Sequence, residues 1–282
     1  MSKDNRDFAE IFRRGSRTYF NSTRFFPPLV RRDVTCLYAF VRTADDFVDR
    51  LPQDREGFET FRRTYLSCRN GHTSSGGPVV DSILEMAGRC GFEPAWLDAF
   101  LDSMAMDLTK KEYQNIDDAM AYMYGSAEVI GLMMARIMGL SDDASGYARL
   151  LGRAMQYINF LRDIREDLSF GRSYLPADEM REVGLASLAQ EDARSRPDVF
   201  RAFIRKQIAR YRDWQAEAEK GYALIPRRCR IPIRTAADMY EWTARRIEAD
   251  PFIVYRGPVK PSRGQILQAG FRNIFRMGGR GR

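Results

Sequence analysis

Four carboxylates set in two apolar stretches are the residues of this 282-residue chain best placed to do chemistry. In LYAFVRTADDFVDR, a helix puts Tyr38, Arg42, Asp45 and Asp49, spaced four, three and four, on one stripe, with Phe40, Phe47 and Val48 pointing elsewhere. In QYINFLRDIREDL, Gln156, Asn159, Asp163 and Asp167, spaced three, four and four, form a second stripe of oxygen-bearing side chains. A single acidic pair one turn apart means little, because 38 acidic residues in 282 give roughly five such pairs by chance. Two stripes of the same make, each in an otherwise apolar helix, are not two surface accidents. Half-buried carboxylates need partners, and divalent cations satisfy several at once. Oxygen ligands without His or Cys select Mg²⁺, with Mn²⁺ as the alternative. Such ions bridge to substrate phosphates, so the chemistry indicated is departure of a diphosphate as an anion, leaving a carbocation. Arg42, Arg162 and Arg172 are candidates for charge-assisted hydrogen bonds to phosphate oxygens, and Tyr38, Phe20, Phe25 and Phe26 for shielding the cation with their π faces.

The elements that must position these residues are helices. Apolar residues recur at three- and four-residue intervals almost throughout, and no run of alternating β-branched residues flanks an Asn-Gly turn. Breaks at Pro27-Pro28, Asn70 to Pro78, Ser141 to Asp143, Gly171 to Pro176, Pro197, Pro226 and Pro251 predict eight to ten helices. No break is long enough for an interdomain linker and no long repeat is visible, so the expected organisation is a single all-α domain over residues 1–282.

Composition narrows the function further. With 44% hydrophobic and 12% aromatic residues the chain is globular. Its most apolar window, Met120 to Leu140, carries Glu128 and Arg136, which argues against a bilayer span. MSKDNRDFAE lacks the apolar core of a signal peptide, so a cytoplasmic protein is expected. Cys36, Cys68, Cys90 and Cys229 form no CxxC pair, against a zinc site or a disulfide framework. The one histidine, His72, lies in the polar loop RNGHTSSGGP and excludes any two-histidine mechanism. Residues 256–282 hold seven basic and no acidic side chains, whereas the remaining 255 are balanced at 38 of each sign. That balance argues against nucleic-acid binding, and the basic tail suits phosphate groups, on a diphosphate substrate or on anionic lipid. Within it, Ile266, Leu267, Phe271, Ile274 and Phe275 recur at near-helical intervals, as one apolar face for the protein's own core or for peripheral association with a membrane.

Taken together, these residues resemble the squalene/phytoene synthase family, the head-to-head trans-isoprenyl diphosphate synthases, over nearly the whole chain. Asp45-Asp46-Phe47-Val48-Asp49 is similar to the family's first aspartate-rich motif, and Asn159-Phe-Leu-Arg162-Asp163-Ile-Arg-Glu166-Asp167 to its second, followed by Gly171-Arg172-Ser173-Tyr174-Leu175-Pro176. Gly15-Ser16-Arg17-Thr18-Tyr19-Phe20 resembles the N-terminal Ser-x-Ser-Phe flap, with Thr18 in place of a serine and Gly15 where a histidine is often found. Tyr122-x-Tyr124-Gly125-Ser126-Ala127 resembles a segment whose small residues line the prenyl cavity, and Tyr240 matches the tyrosine of a late helix.

The resemblance implies an isoprenoid-synthase helical bundle with a central cavity and a two-step reaction through a cyclopropylcarbinyl diphosphate. It assigns metal binding to Asp45, Asp49, Asn159, Asp163 and Asp167. Gln156 flanks them; Arg42, Arg162, Arg172 and Tyr174 hold diphosphate; Ser16, Thr18, Phe20 and Tyr38 contact substrate; and Tyr240 joins the catalytic group. The C-terminal string Ile231 to Tyr255, with Val259-Lys260-Pro261-Ser262, favours phytoene from two geranylgeranyl diphosphates. The alternative is squalene or dehydrosqualene from two farnesyl diphosphates, of which only squalene needs NADPH. Chain-elongating prenyltransferases and terpene cyclases should show DDxxD or NSE-like spacing, whereas both motifs here are DxxxD. A non-catalytic assembly or lipid-binding protein of the same fold should have broken aspartate motifs, and these are intact.

Overall fold

Prolines at helix starts and apolar residues three and four apart build thirteen α-helices from Pro28 onward in the computed structural model, which describes residues 8, 10 and 22–278. Helix accounts for 78% of the structure, and among the described residues no strand forms, only one bridge between Glu112 and Ser173. The helices are α1 (Pro28–Val48), α2 (Arg55–Arg69), α3 (Pro78–Cys90), α4 (Pro94–Asp107), α5 (Ile116–Met123), α6 (Val129–Ile137) and α7 (Ser145–Arg162), then α8 (Ile164–Ser169), α9 (Ala177–Glu182), α10 (Gln190–Ser195), α11 (Pro197–Glu219), α12 (Arg227–Ala249) and α13 (Arg263–Gly278). The surplus over the eight to ten expected comes largely from α8, α9 and α10, six residues each.

Helix α1 starts on Pro28 at a first-turn position, where a missing N–H costs nothing, and buries Val34, Leu37, Phe40, Ala44 and Val48. It lies against α2, α3, α4 and α6. Helix α7 is the centre of the bundle, with α6, α11 and α12 around it. Full burial of large apolar side chains such as Phe40, Phe100 and Ile158 contributes roughly 1.5–3 kcal/mol each. One contiguous core runs from Phe26 to Val259.

Close backbone contact sets the spacing around α7. A π-helical turn, Tyr124–Glu128, joins α5 to α6, and π turns of this kind occur most often at functional sites. A Cβ on Gly125 would lie 2.1 Å from the Ala99 carbonyl oxygen of α4, and one on Gly152 of α7 would lie 2.3 Å from that of Ala127, so only glycine lets these backbones meet. Thus Gly125 is spent on helix contact and not on an open cavity wall. Glu128, buried in the same turn, is tied to α7 by Arg149 and Arg153 at 2.8 and 2.7 Å. In this way α4, the π turn and α7 become one unit, with α1 on α4 and α6.

The C-terminal segment departs from the expected single apolar face. On α13, Ile266 and Ala269 bury against Met239 of α12, whereas Phe271, Ile274 and Phe275 are exposed, Phe275 at 75%. The reason is angular: at 100° per residue Ile266, Ala269 and Asn273 fall on one side of the helix and Phe271, Ile274 and Phe275 on another. Phe25 meets Phe271 edge-on, with ring centroids 6.3 Å apart. No helix among the described residues is long and apolar enough to cross a membrane.

Candidate active site

Both acidic stripes bend where their aspartates sit. Asp49 caps the C-terminus of α1 at φ −102°, ψ 12°, and Asp163 separates α7 from α8 at φ −100°, ψ 14°. The second stripe is therefore not one straight helix: Asn159 and Gln156 lie on α7, and Asp167 on α8. The bend leaves Asp163 and Asp167 as neighbours, with Asp167 in the field of Asp49 at the end of α1.

A guanidinium joins the two motifs. The Arg172 backbone N–H donates to the Asp167 carbonyl at 2.9 Å, closing the turn through Gly171 at φ 69°, a left-handed conformation that favours glycine. Its side chain, 2% exposed, donates to the Asp49 carboxylate at 3.0 Å and to the Val48 carbonyl. The group suggested by the sequence for diphosphate is thus committed to holding the motifs together. Arg162 likewise donates through Nε to Asp163 at 2.8 Å, and Arg42 pairs with Asp46. Tyr174, also assigned to diphosphate, donates its hydroxyl to Asp107 at 2.7 Å and stacks on Phe160 with centroids 4.4 Å apart.

Asp107 is the site residue that sequence reasoning missed. It ends α4, is 3% exposed, and its two oxygens accept hydrogen bonds from Tyr174 and Tyr122, each at 2.7 Å. A signal was available: Leu97, Phe100, Leu101, Met104 and Leu108 form an apolar stripe, and Asp107 falls on it three residues after Met104. A carboxylate on a buried helix face is informative where an acidic residue on a polar face is not.

The electrostatics are those of an anionic cluster short of cations. Burial, then the nearby charge of Asp49, pushes the Asp45 carboxyl well above the usual carboxylate range, with Arg42 opposing. Burial, then Asp163 and Asp49, does the same to Asp167. Burial pushes Asp107 up to about 6 against the pull of Arg172 and the two tyrosines. Six carboxylates (Asp45, Asp46, Asp49, Asp107, Asp163, Asp167) face three guanidiniums (Arg42, Arg162, Arg172).

These residues fit a divalent metal by a separate observation. The Asn159 Oδ1 atom is buried and accepts no hydrogen bond, while its Nδ2 donates to Gln156 at 3.3 Å. An orphaned buried carbonyl oxygen is what a hard cation would satisfy. Among the described residues no three His, Cys, Asp or Glu side chains converge tightly enough to enclose one ion.

The aromatic surroundings differ from those expected. Tyr113, Tyr122, Phe160 and Tyr174 form the aromatic cluster beside Asp107. Phe25 instead lies against α13, and Phe26 is part of the core. Tyr38 and Tyr240 come from α1 and α12 into one another's field, and burial raises the Tyr38 phenol. Ser16, Thr18 and Phe20 lie outside the described residues. Two clefts, of about 490 and 230 Å³, are lined by Phe47, Asp54 and Phe61 and by Met239, Trp242 and Arg272 respectively, the first beside the first aspartate motif.

Comparison with known proteins gives the family and the fold. The sequence profile of the squalene/phytoene synthase family matches residues 12–265. The chain is 31% identical over 271 residues to the 15-cis-phytoene synthase of a Paracoccus species, covering 90% of this chain and 86% of that protein. It is 30% identical over 245 residues to the 15-cis-phytoene synthase of Pantoea ananas, covering 83% and 79%. Among solved structures, a dehydrosqualene synthase bound to a ligand superposes with a TM-score of 0.83 at 23% identity, covering 98% of this chain and 97% of that one. Squalene synthase HpnC from Alicyclobacillus acidocaldarius gives 0.78 at 22% identity, covering 88% and 94%. At such identities the two structures establish the all-α fold.

Proposed function

The chain belongs to the squalene/phytoene synthase family of prenyltransferases, and from that premise we propose that it joins two geranylgeranyl diphosphates head to head, in a Mg²⁺-dependent reaction, to give phytoene. The observation that carries the reading is the meeting of the two acidic motifs across Arg172, beside an unsatisfied Asn159 oxygen. The C20 substrate is supported by relatives named phytoene synthase at 30–31% identity.

Asp45, Asp49, Asn159, Asp163 and Asp167 would hold the metal, which when bound supplies Lewis-acid stabilisation of the departing diphosphate. The rest falls to side chains of the chain itself. Arg42 and Arg162 lie on the rims of the two motifs, each able to exchange its aspartate for a phosphate oxygen once cations neutralise the carboxylates. Arg172 stays buried and keeps the motifs in register. Tyr38 and Tyr240 present phenol rings from opposite helices, with π faces suited to a carbocation in a site that excludes water. Ser16, Thr18 and Phe20 would contact the diphosphate substrate.

The exposed stripe of α13 and the basic residues 256–282 support peripheral binding to an anionic membrane, from which long prenyl chains could be drawn. Truncation after Tyr255 is expected to weaken binding to phosphatidylglycerol vesicles severalfold in a sedimentation assay, and equal binding would remove the tail from that role.

The deciding experiment incubates the protein with Mg²⁺ and either farnesyl or geranylgeranyl diphosphate, with and without NADPH, and identifies hydrocarbons by mass spectrometry. A C40 hydrocarbon with a central conjugated triene, formed without NADPH, is the expected result. A C30 product would overturn the substrate, its NADPH dependence separating squalene from dehydrosqualene. No hydrocarbon from either substrate would favour a non-catalytic role.

A further inference from the structure

We infer that Asp107 is a positioning residue that sets the distance between the two metal-binding motifs, acting through Tyr174 and Arg172. The inference rests on the diphosphate reading above. Both Asp107 oxygens are turned onto protein donors, the hydroxyls of Tyr174 and Tyr122.

The chain of contacts is continuous. The Asp107 carboxylate fixes the Tyr174 hydroxyl, and Arg172 Nη1 donates to that same hydroxyl oxygen at 3.3 Å while lying 3.9 Å from the Asp107 carboxylate. The other contacts of that guanidinium are Asp49 and the Val48 carbonyl at the end of α1, and its backbone N–H is bound to Asp167 on α8. Asp107 therefore supplies the counter-charge that keeps a buried guanidinium aimed at the first motif from the chain that carries the second. The main chain around Asp107 has the same job. Gln53 Nε2 bridges the carbonyls of Val48 and Asp107 at 2.9 and 3.1 Å, locking the ends of α1 and α4 together. Ser173 N–H donates to the Lys111 carbonyl at 2.8 Å, so the segment after the second motif is paired to the segment after α4.

A purely structural role would lower stability and leave the site's affinity alone. A positioning role predicts more, because partners behind metal ligands are worth about 10–100-fold in affinity. The test titrates inorganic pyrophosphate into folded protein by calorimetry at fixed Mg²⁺, with circular dichroism as the folding control. The unmodified chain comes first: absence of Mg²⁺-dependent pyrophosphate binding would overturn the diphosphate reading itself. Given binding, Asp107→Asn is expected to raise the dissociation constant about tenfold and the Mg²⁺ concentration needed for half-saturation with it. Arg172→Lys should do the same, and the double variant should be no worse than Arg172→Lys alone, since the two act in series. Wild-type affinity in folded Asp107→Asn, or additive losses in the double variant, would overturn the positioning role and leave the function untouched. If Asp107→Asn fails to fold, Tyr122→Phe decides: it removes one donor from the same carboxylate and keeps its charge, and is expected to weaken binding about threefold, whereas an unchanged dissociation constant would overturn the proposal.

Discussion

The two aspartate motifs share the same DxxxD spacing and are held in opposite ways. At the second, Asp163 is gripped by Arg162, its neighbour in the chain, and both side chains are about one-fifth exposed. At the first, Asp49 is 41% exposed and its partner Arg172 is 2% exposed and 123 residues away. A neighbouring pair forms wherever the local helix end forms. The distant pair exists only when α1, α4 and the segment after α8 have all docked. The geometry of the first motif thus depends on the whole bundle, whereas that of the second is built into its own stretch of chain.

The largest expected effect tests what the motifs share. Asp45→Asn and Asp163→Asn should each cut turnover by about a thousandfold with unchanged helical circular dichroism, since either removes a charge that a bridging cation needs. Near-wild-type turnover in both would end the metal-cluster reading.

The next prediction tests what divides them. Arg172→Met should cost about 3–5 kcal/mol in urea unfolding, because it strands a buried carboxylate network, whereas Arg162→Met should cost about 1 kcal/mol or less. Equal losses would erase the contrast between local and long-range support.

A smaller effect follows from pH. Asp45, Asp107 and Asp167 have folded-state pKa values raised above the ordinary carboxylate value, Asp107 to about 6, so the folded chain binds more protons than the unfolded one across that window. Their contribution is present below the unfolded value near pH 4 and is lost as pH rises through the folded values. In EDTA the melting temperature should therefore fall between pH 4 and pH 7 relative to the protein in Mg²⁺, where the cation favours the charged carboxylates. Parallel melting curves would argue against metal at these residues.

The smallest effects belong to the off-stripe acids. Asp46→Asn and Glu166→Gln, both at exposed side chains, should leave turnover within about threefold of wild type in a product-release assay. A loss as large as that of Asp45→Asn would put them among the ligands.

How much of this was legible can be judged residue by residue. The helical class and both aspartate motifs were readable because they rest on three- and four-residue spacing, and an α-helix turns that spacing into a face without help from elsewhere. The pairing of Arg162 with Asp163 was equally within reach. The bend at Asp163 was not, because a helix end imposed by docking left no proline or glycine there, whereas Pro52, three residues beyond Asp49, marks the end of α1. Arg172 was read as a diphosphate ligand because a cation beside an acidic motif says nothing of which carboxylate it will meet. Asp107 could have been suspected from its place on an apolar stripe, but its partners Tyr122 and Tyr174 lie 15 and 67 residues away. On α13, helix periodicity already set Ile266 apart from Phe271 and Phe275, and docking on α12 decided which side is buried.

The sequence by itself determined an all-helical chain, two stripes of hard oxygen ligands and a basic tail, since each is written in spacing or in charge and neither depends on distant contacts. Tertiary structure alone decided which stripe faces which, which arginine is buried and which stays on the rim, and which carboxylate holds the junction. Those outcomes depend on how glycine-thinned helices stack to backbone contact, and such distances are summed over the whole bundle and not stored in any one segment.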